Sequence, residues 1–382
     1  MKIAIITEGY RPFINGVIVS IDLFAKQFRK LGHEVYIFAP SYPDYKEDEE
    51  YIFRLGSVPS IIQKSIRIPV PTYIKMDKLF SKIGFDIIHI QHPIIFGQVV
   101  KRLVKKYKLP LVFTHHSFYE NYSHYIPLPQ KFIKKMAIKL SVDFSNNCDL
   151  VVTPSETVKE VLRTRGVIAP IEVIPTGINF KMFNKASGDF VREKYQISKE
   201  SKILLFVGRM SKEKNLDILL DSFPMVISDF PDTYLILVGE GPERKKMEKK
   251  VKEIGVNDKV LFIDSQPYNE IPNFYKESDL FLFPSKKDTQ GLVVLEAMTC
   301  ALPIVAVRSM CVEELNIDKR AGFLTRNSPI EFSKKIRKLL ADKNIYNEFS
   351  KNSVEIAKKY SYEDSASLLI DKFKDLISCK KS

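Results

Sequence analysis

Two sets of short apolar runs constrain this chain more than any other feature. Residues 1–180 carry KIAIIT (2–7), HEVYIFAP (33–40), FDIIHI (85–90), PLVFTHH (110–116), CDLVVTPS (148–155) and IEVIPTGI (171–178). Residues 190–360 carry KILLFVGR (202–209), TYLILVGEG (233–241), KVLFIDS (259–265), SDLFLFPS (278–285), LPIVAV (302–307) and AGFLT (321–325). Each run has the length and the branched or aromatic content of a buried strand. Amphipathic stretches separate them. In SIDLFAKQFRKLG (20–32), Ile21, Phe24, Ala25, Phe28 and Leu31 recur at helical spacing and Gly32 closes the segment. Strands alternating with helices build parallel, doubly wound sheets. The set occurs twice, so the expectation is an α/β chain of two Rossmann-like domains, 1–180 and 190–360, each large enough for its own core. The last amphipathic segment, about 361–382, can pack on either, including back onto the first.

Composition sets limits on the partner. The formal charge is +13, and residues 1–185 hold 26 Lys+Arg against 16 Asp+Glu. A basic first half suits an anionic partner: nucleic acid, a phosphorylated substrate or an acidic membrane surface. No recognisable nucleic-acid module accompanies the charge, so nucleic acid is not expected. No uncharged apolar stretch is long enough to span a bilayer. The opening MKIAIITEGYRPF reads as a first strand and not as a secretory signal. Cys148, Cys300, Cys311 and Cys379 lack metal-ligand or redox spacing and fit a reducing, cytoplasmic setting.

In open parallel sheets, ligands gather beyond the carboxyl ends of the strands. Two such sheets imply a cleft lined by strand-to-helix loops, and the polar signals fall on those loops. VGRMSKEKN (207–215) places Arg209 and Lys214 on one loop. A guanidinium and an ammonium together suit a diphosphate. KDTQGLVVLEAM (287–298) places Asp288 before a helix start and Glu296 about two turns into it. The amides near Gly291, Leu292 and Val293 are unpaired at such a start and can hold phosphate. Gly291 has no Cβ to keep a ligand away. Two carboxylates so far apart cannot act on one bond, but they can grip two ends of an extended ligand.

An acidic residue, seven positions, then Glu-Ala-Met with Gly-Leu-Val inside resembles the signature of the retaining glycosyltransferases of family 4, which have the GT-B fold. GRMSKEKN, YLILVGEGPER, IPTGINFKMF and YRPFINGV resemble that family's other motifs, in order along nearly the whole chain. The resemblance implies that Glu296 binds the nucleotide ribose and Asp288 the donor sugar. It implies that Arg209, Lys214 and the 291–293 backbone hold the diphosphate, and that Gly16 lets the first loop approach it. The family's first acidic position is usually glutamate and its first loop Gly-Gly. Here they are Asp288 and Asn15-Gly16. Thr114 and His116 match a Thr-x-His that puts a histidine beside the transferred sugar, which leaves His115 to structure. Tyr119, Glu120, Tyr122 and His124 resemble the acceptor site of members that glycosylate diacylglycerol.

The expected reaction is transfer of a hexose, glucose first, from UDP-glucose or another nucleoside-diphosphate sugar to a lipid hydroxyl. It would need neither metal nor cofactor beyond the nucleotide sugar. Basic segments KRLVKKYK (101–108) and QKFIKKMAIKL (130–140) can lie on an anionic bilayer. The chain is therefore expected to be cytoplasmic and peripheral on the inner face of the cell membrane. Alternatives are a GDP-mannose- or UDP-sugar-dependent transferase acting on phosphatidylinositol or another glycan, and an NAD-dependent oxidoreductase. The last is disfavoured because ITEGYRPFING lacks G-x-G-x-x-G.

Overall fold

Residues 1–59, 67–70, 72–126, 128–186 and 189–381 are described by a computed structural model. The chain divides into two units: Met1–Thr176 with Tyr362–Ser382, and Gly177–Ser361.

In the first unit the apolar runs form β1 (Lys2–Ile6), β2 (Glu34–Pro40), β3 (Ile52–Leu55), β6 (Ile87–Ile90), β7 (Leu111–Thr114), β8 (Leu150–Thr153) and β9 (Ile171–Val173). They make one parallel sheet in the order β3-β2-β1-β6-β7-β8-β9. β4 (Ser57–Pro59) and β5 (Arg67–Pro69) form a separate antiparallel pair. The helix read from residue 20 begins earlier, at Gly16, because the Asn15 side chain accepts from the amides of Val17 and Ile18 at 3.0 Å. The last helix, Tyr362–Lys381, belongs to this unit. Its Ala366, Leu369, Ile370 and Phe373 share a core with Ile3, Ile5, Phe24 and Phe28.

The second unit carries β10 (Lys202–Val207), β11 (Thr233–Val238), β12 (Val260–Ile263), β13 (Leu280–Phe283), β14 (Ile304–Val307) and β15 (Gly322–Thr325). These also form one parallel sheet, ordered β12-β11-β10-β13-β14-β15. Two apolar clusters pack against it, one around Phe281, Leu295 and Ile304, the other around Leu204, Phe223 and Leu282. The chain enters and leaves this unit side by side, with the Ile178 amide donating to the Tyr360 carbonyl at 2.7 Å.

In each sheet the strand order reverses once, between β1 and β6 and between β10 and β13. Loops leaving adjacent strands at a reversal run to opposite faces and open a crevice, where such sheets bind ligands. The loops after β1 and β6 hold residues 7–16 and 91–96. Those after β10 and β13 hold residues 208–215 and 284–291.

Candidate active site

In the second unit, a glycine backbone brings the β10 and β11 loops together. A Cβ on Gly239 would sit 2.2 Å from the Gly208 carbonyl oxygen, and one on Gly241 would sit 2.1 Å from that of Met210. Arg209 lies between these contacts, half-buried. The chain then makes a short 3₁₀ turn, Lys212–Lys214, and Asn215 takes a left-handed conformation with φ 57°. Asn215 Nδ2 donates to the Pro284 carbonyl at 3.1 Å and to Asn327 Oδ1 at 2.8 Å. It thereby fastens the β10 loop to the end of β13.

That fastening sets Lys214 against Asp288. Lys214 Nζ lies 2.8 and 2.9 Å from the two carboxylate oxygens, and each side chain is 21% exposed. The residues read as phosphate and sugar contacts are thus an ion pair on adjacent loops. Gly291, at φ 68°, starts the Leu292–Thr299 helix. A Cβ there would meet Cys311 Sγ at 3.4 Å. Burial pushes the Cys311 thiol up to about 12, so it is an inert floor beneath the loop. The amides of the first helical turn, from Leu292 and Val293, have no intrahelical acceptor.

Glu296 is 3% exposed. Tyr268 Oη donates to Oε1 and Tyr275 Oη to Oε2, each at 2.8 Å. Burial raises the Glu296 pKa, and the two tyrosine hydroxyls oppose that shift. Each carboxylate oxygen has a further lone pair, so a clamped Glu296 can still accept from a ligand hydroxyl.

In the first unit the strand ends bring several imidazoles together. His116, after β7, has Nε2 2.6 Å from Oε1 of the buried Gln91 at the end of β6. Burial, reinforced by neighbouring His92, His89 and His115, holds its pKa well below the usual histidine range. It is a neutral hydrogen-bonding group at physiological pH. His115 is buried, with Nε2 3.0 Å from Ser141 Oγ on the Gln130–Ser145 helix. Glu8 Oε1 accepts from the amides of Ile95 at 2.5 Å and Phe96 at 3.1 Å. Burial pushes its pKa up to about 7 against those amides.

The residues read as acceptor contacts lie on a 3₁₀ segment, Tyr119–Tyr125. They divide into two kinds. Glu120 pairs with Arg165 at 2.5 Å, and that guanidinium lies 4.6 Å from the Phe118 ring centroid. Glu120 therefore anchors the segment. The buried Tyr119 hydroxyl has no partner among the described residues. Tyr122 and His124 are exposed, and the His124 ring lies tilted against Tyr125 with centroids 4.2 Å apart. Gly16 is exposed, and a Cβ there would meet nothing within 4 Å. The protein itself does not require that glycine.

Glu8, Gln91, Asn215, Tyr268 and Tyr275 were not singled out from the sequence. For Asn215 a signal existed, since it ends the SKEKN run. Among the described residues no group of three or more His, Cys, Asp or Glu is placed to hold a metal ion. No described helix is long and apolar enough to cross a membrane.

Comparison with known proteins accords with this arrangement. Residues 14–181 match the family described as Glycosyltransferase Family 4, and residues 188–356 match Glycosyl transferases group 1. An alpha-monoglucosyldiacylglycerol synthase of Streptococcus pneumoniae is 30% identical over 330 residues, covering 85% of this chain and 75% of that one. The enzyme of the same name from Acholeplasma laidlawii is 27% identical over 393 residues, covering 99% and 98%. The sucrose-phosphate synthase structure from Thermosynechococcus elongatus superposes with a TM-score of 0.83 at 22% identity, covering 99% of each chain. The motif order, the two reversed sheets and these matches together make the chain a family 4 glycosyltransferase of the GT-B fold.

Proposed function

We propose that this glycosyltransferase moves glucose from UDP-glucose to the free hydroxyl of diacylglycerol, with retention at the anomeric carbon and without a metal ion. The observation that carries this reading is the Lys214–Asp288 pair, whose carboxylate lies on the loop that leads into Gly291. A cation, a carboxylate able to accept from sugar hydroxyls and open helix amides on adjoining backbone support it. A nucleoside-diphosphate sugar has the matching sequence of groups. The acceptor assignment is supported by the two synthases named above and by the aromatic 119–125 segment.

In the reaction, the bond from the anomeric carbon to the diphosphate oxygen breaks and its electron pair leaves with the phosphate. The acceptor oxygen bonds to the same face of that carbon, and its proton passes to the departing phosphate oxygen. Arg209, Lys214 and the first-turn amides oppose the charge that grows on the diphosphate. Lys214 reaches the phosphate by exchanging its bonds to Asp288, which frees that carboxylate for sugar hydroxyls. Glu296 accepts from the ribose. His116, kept neutral, hydrogen-bonds a sugar hydroxyl without repelling the developing positive charge.

The test is a panel of UDP- and GDP-sugars against diacylglycerol, phosphatidylinositol and soluble glycans, read as released nucleotide and anomeric product, with and without EDTA. UDP-glucose with diacylglycerol is expected to give the highest kcat/KM and an α-linked product at an EDTA-insensitive rate. A preference for GDP-mannose, or a rate that EDTA abolishes, refutes this assignment.

A further inference from the structure

Glu8 has a place and a charge that its bonds within the protein do not explain. It lies on the loop leaving β1, and its carboxylate crosses to the loop leaving β6, where Oε1 accepts from the Ile95 and Phe96 amides. Those two loops flank the strand-order reversal of the first sheet, the crevice where such sheets bind ligands. The amides need only an oxygen. A glutamine would supply one without a charge to bury, whereas burial raises the Glu8 pKa to about 7 against the amides that lower it. An acid kept where an amide would suit the fold better marks a group retained for function.

The Tyr119 hydroxyl, on the segment after β7, is unexplained in the same way. It is shut away from water and has no hydrogen-bond partner among the described residues. A buried hydroxyl left unpaired is destabilising. The ring needs no hydroxyl for its packing, which is edge-on against His115 with centroids 5.7 Å apart. Burial, then the negative charge of Glu8, then Tyr122 hold the phenol protonated, so Tyr119 lies within reach of the Glu8 field. Both amide bonds to Glu8 end on Oε1, and Oε2 keeps acceptor capacity. A carboxylate that can accept and a phenol that can donate are satisfied together by one kind of group, an alcohol hydroxyl.

We infer that Glu8 and Tyr119 form the subsite for the hydroxyl of the acceptor substrate, which donates to Glu8 Oε2 and accepts from the Tyr119 hydroxyl. This rests on the transferase reading above but not on which alcohol is the acceptor. The bond to Glu8 belongs to the bound complex; during transfer the proton passes to the departing phosphate as already described. Loss of the subsite therefore raises KM for the acceptor more than it lowers kcat. The other ionisable groups around Glu8 do not titrate in its range. His92, whose Nδ1 accepts from the Glu8 amide at 3.4 Å, is brought down to about 4 by burial, His116 is held neutral and Tyr119 stays protonated.

Steady-state kinetics at saturating donor test this, with the acceptor that turns over fastest in the panel above. In the wild type, KM for the acceptor is expected to fall several-fold from pH 6 to pH 8 as Glu8 ionises. Glu8→Gln is expected to raise it about tenfold at pH 8 and to abolish its pH dependence, with kcat and the donor KM within about twofold of wild type. Tyr119→Phe is expected to raise the acceptor KM about two- to tenfold without lowering the Tm, because it removes a hydroxyl that the free protein leaves unpaired. If the panel selects phosphatidylinositol or a soluble glycan, the diacylglycerol reading fails and the subsite is tested on that acceptor instead. A Glu8→Gln variant with the wild-type acceptor KM and pH profile overturns the inference and leaves Glu8 as a loop fastener. So does Tyr119→Phe with an unchanged acceptor KM, or a rise in the donor KM as large as that in the acceptor KM.

Discussion

Removing the hydroxyl of Tyr275 tests how the buried carboxylate is held. Tyr275 is fully buried and its hydroxyl is one of two donors to Glu296. A hydrogen bond to a charged group contributes about 1.5–3 kcal/mol. Tyr275→Phe keeps the ring packing against Phe183 and Phe281 and removes only that bond. For a domain the size of the second unit, that loss lowers the Tm by about 3–12 °C.

A pH dependence separates this cause from simple loss of packing. Burial already raises the Glu296 pKa, and the Tyr275 hydroxyl is the larger of the two influences that lower it. Losing it leaves burial less opposed and raises the pKa further. A carboxyl whose folded pKa is raised contributes stability that is present below its unfolded value and lost as pH rises through the folded value. The difference in Tm between variant and wild type is therefore expected to be largest near pH 8 and to shrink on acidification, as protonation relieves the buried charge. Calorimetric titration with UDP is expected to show weaker binding in the variant, more so at pH 6 than at pH 8, because a protonated Glu296 is a poorer acceptor for the ribose. A stability difference that does not change with pH, or unaltered UDP affinity at both values, refutes the clamp.

Two other substitutions probe the remaining charges. Lys214→Ala is expected to cut kcat/KM by about 10²–10³-fold, the loss typical of one donor to developing charge, with Tm nearly unchanged because the Asp288 pair is partly exposed; wild-type kinetics remove the diphosphate role. Glu8→Gln keeps an oxygen to accept from Ile95 and Phe96. Because burial raises the Glu8 pKa to about 7, wild-type stability should fall as pH rises from about 4.5 through about 7. The variant should be the more stable near pH 8, by up to about 3 kcal/mol, and urea melts at pH 5 and pH 8 that show the same difference refute it.

The residues that touch a ligand and the residues that set their charge are recorded differently in a sequence. Arg209, Lys214, Asp288 and Gly291 leave single strand ends, so their spacing is local and visible. Glu296 was visible too, since four apolar residues before it and Ala-Met after it are a poor setting for a solvated carboxylate. Tyr268 and Tyr275, whose hydroxyls donate to it and oppose the effect of burial, come from the connection between β12 and β13, strands at one edge and at the middle of the sheet. Only the strand order brings them onto Glu296. Gln91 reaches His116 in the same way, from the neighbouring strand β6. The short strand β3 went unread because IFRL follows an acidic stretch and offers four residues of pattern. Asn15 carries the opposite lesson. It stands where the family usually has a glycine, and its side chain caps the helix and leaves Gly16 as the residue with open space beside it. The departure from the family pattern therefore adds a helix cap at that position, a role a glycine has no side chain to fill.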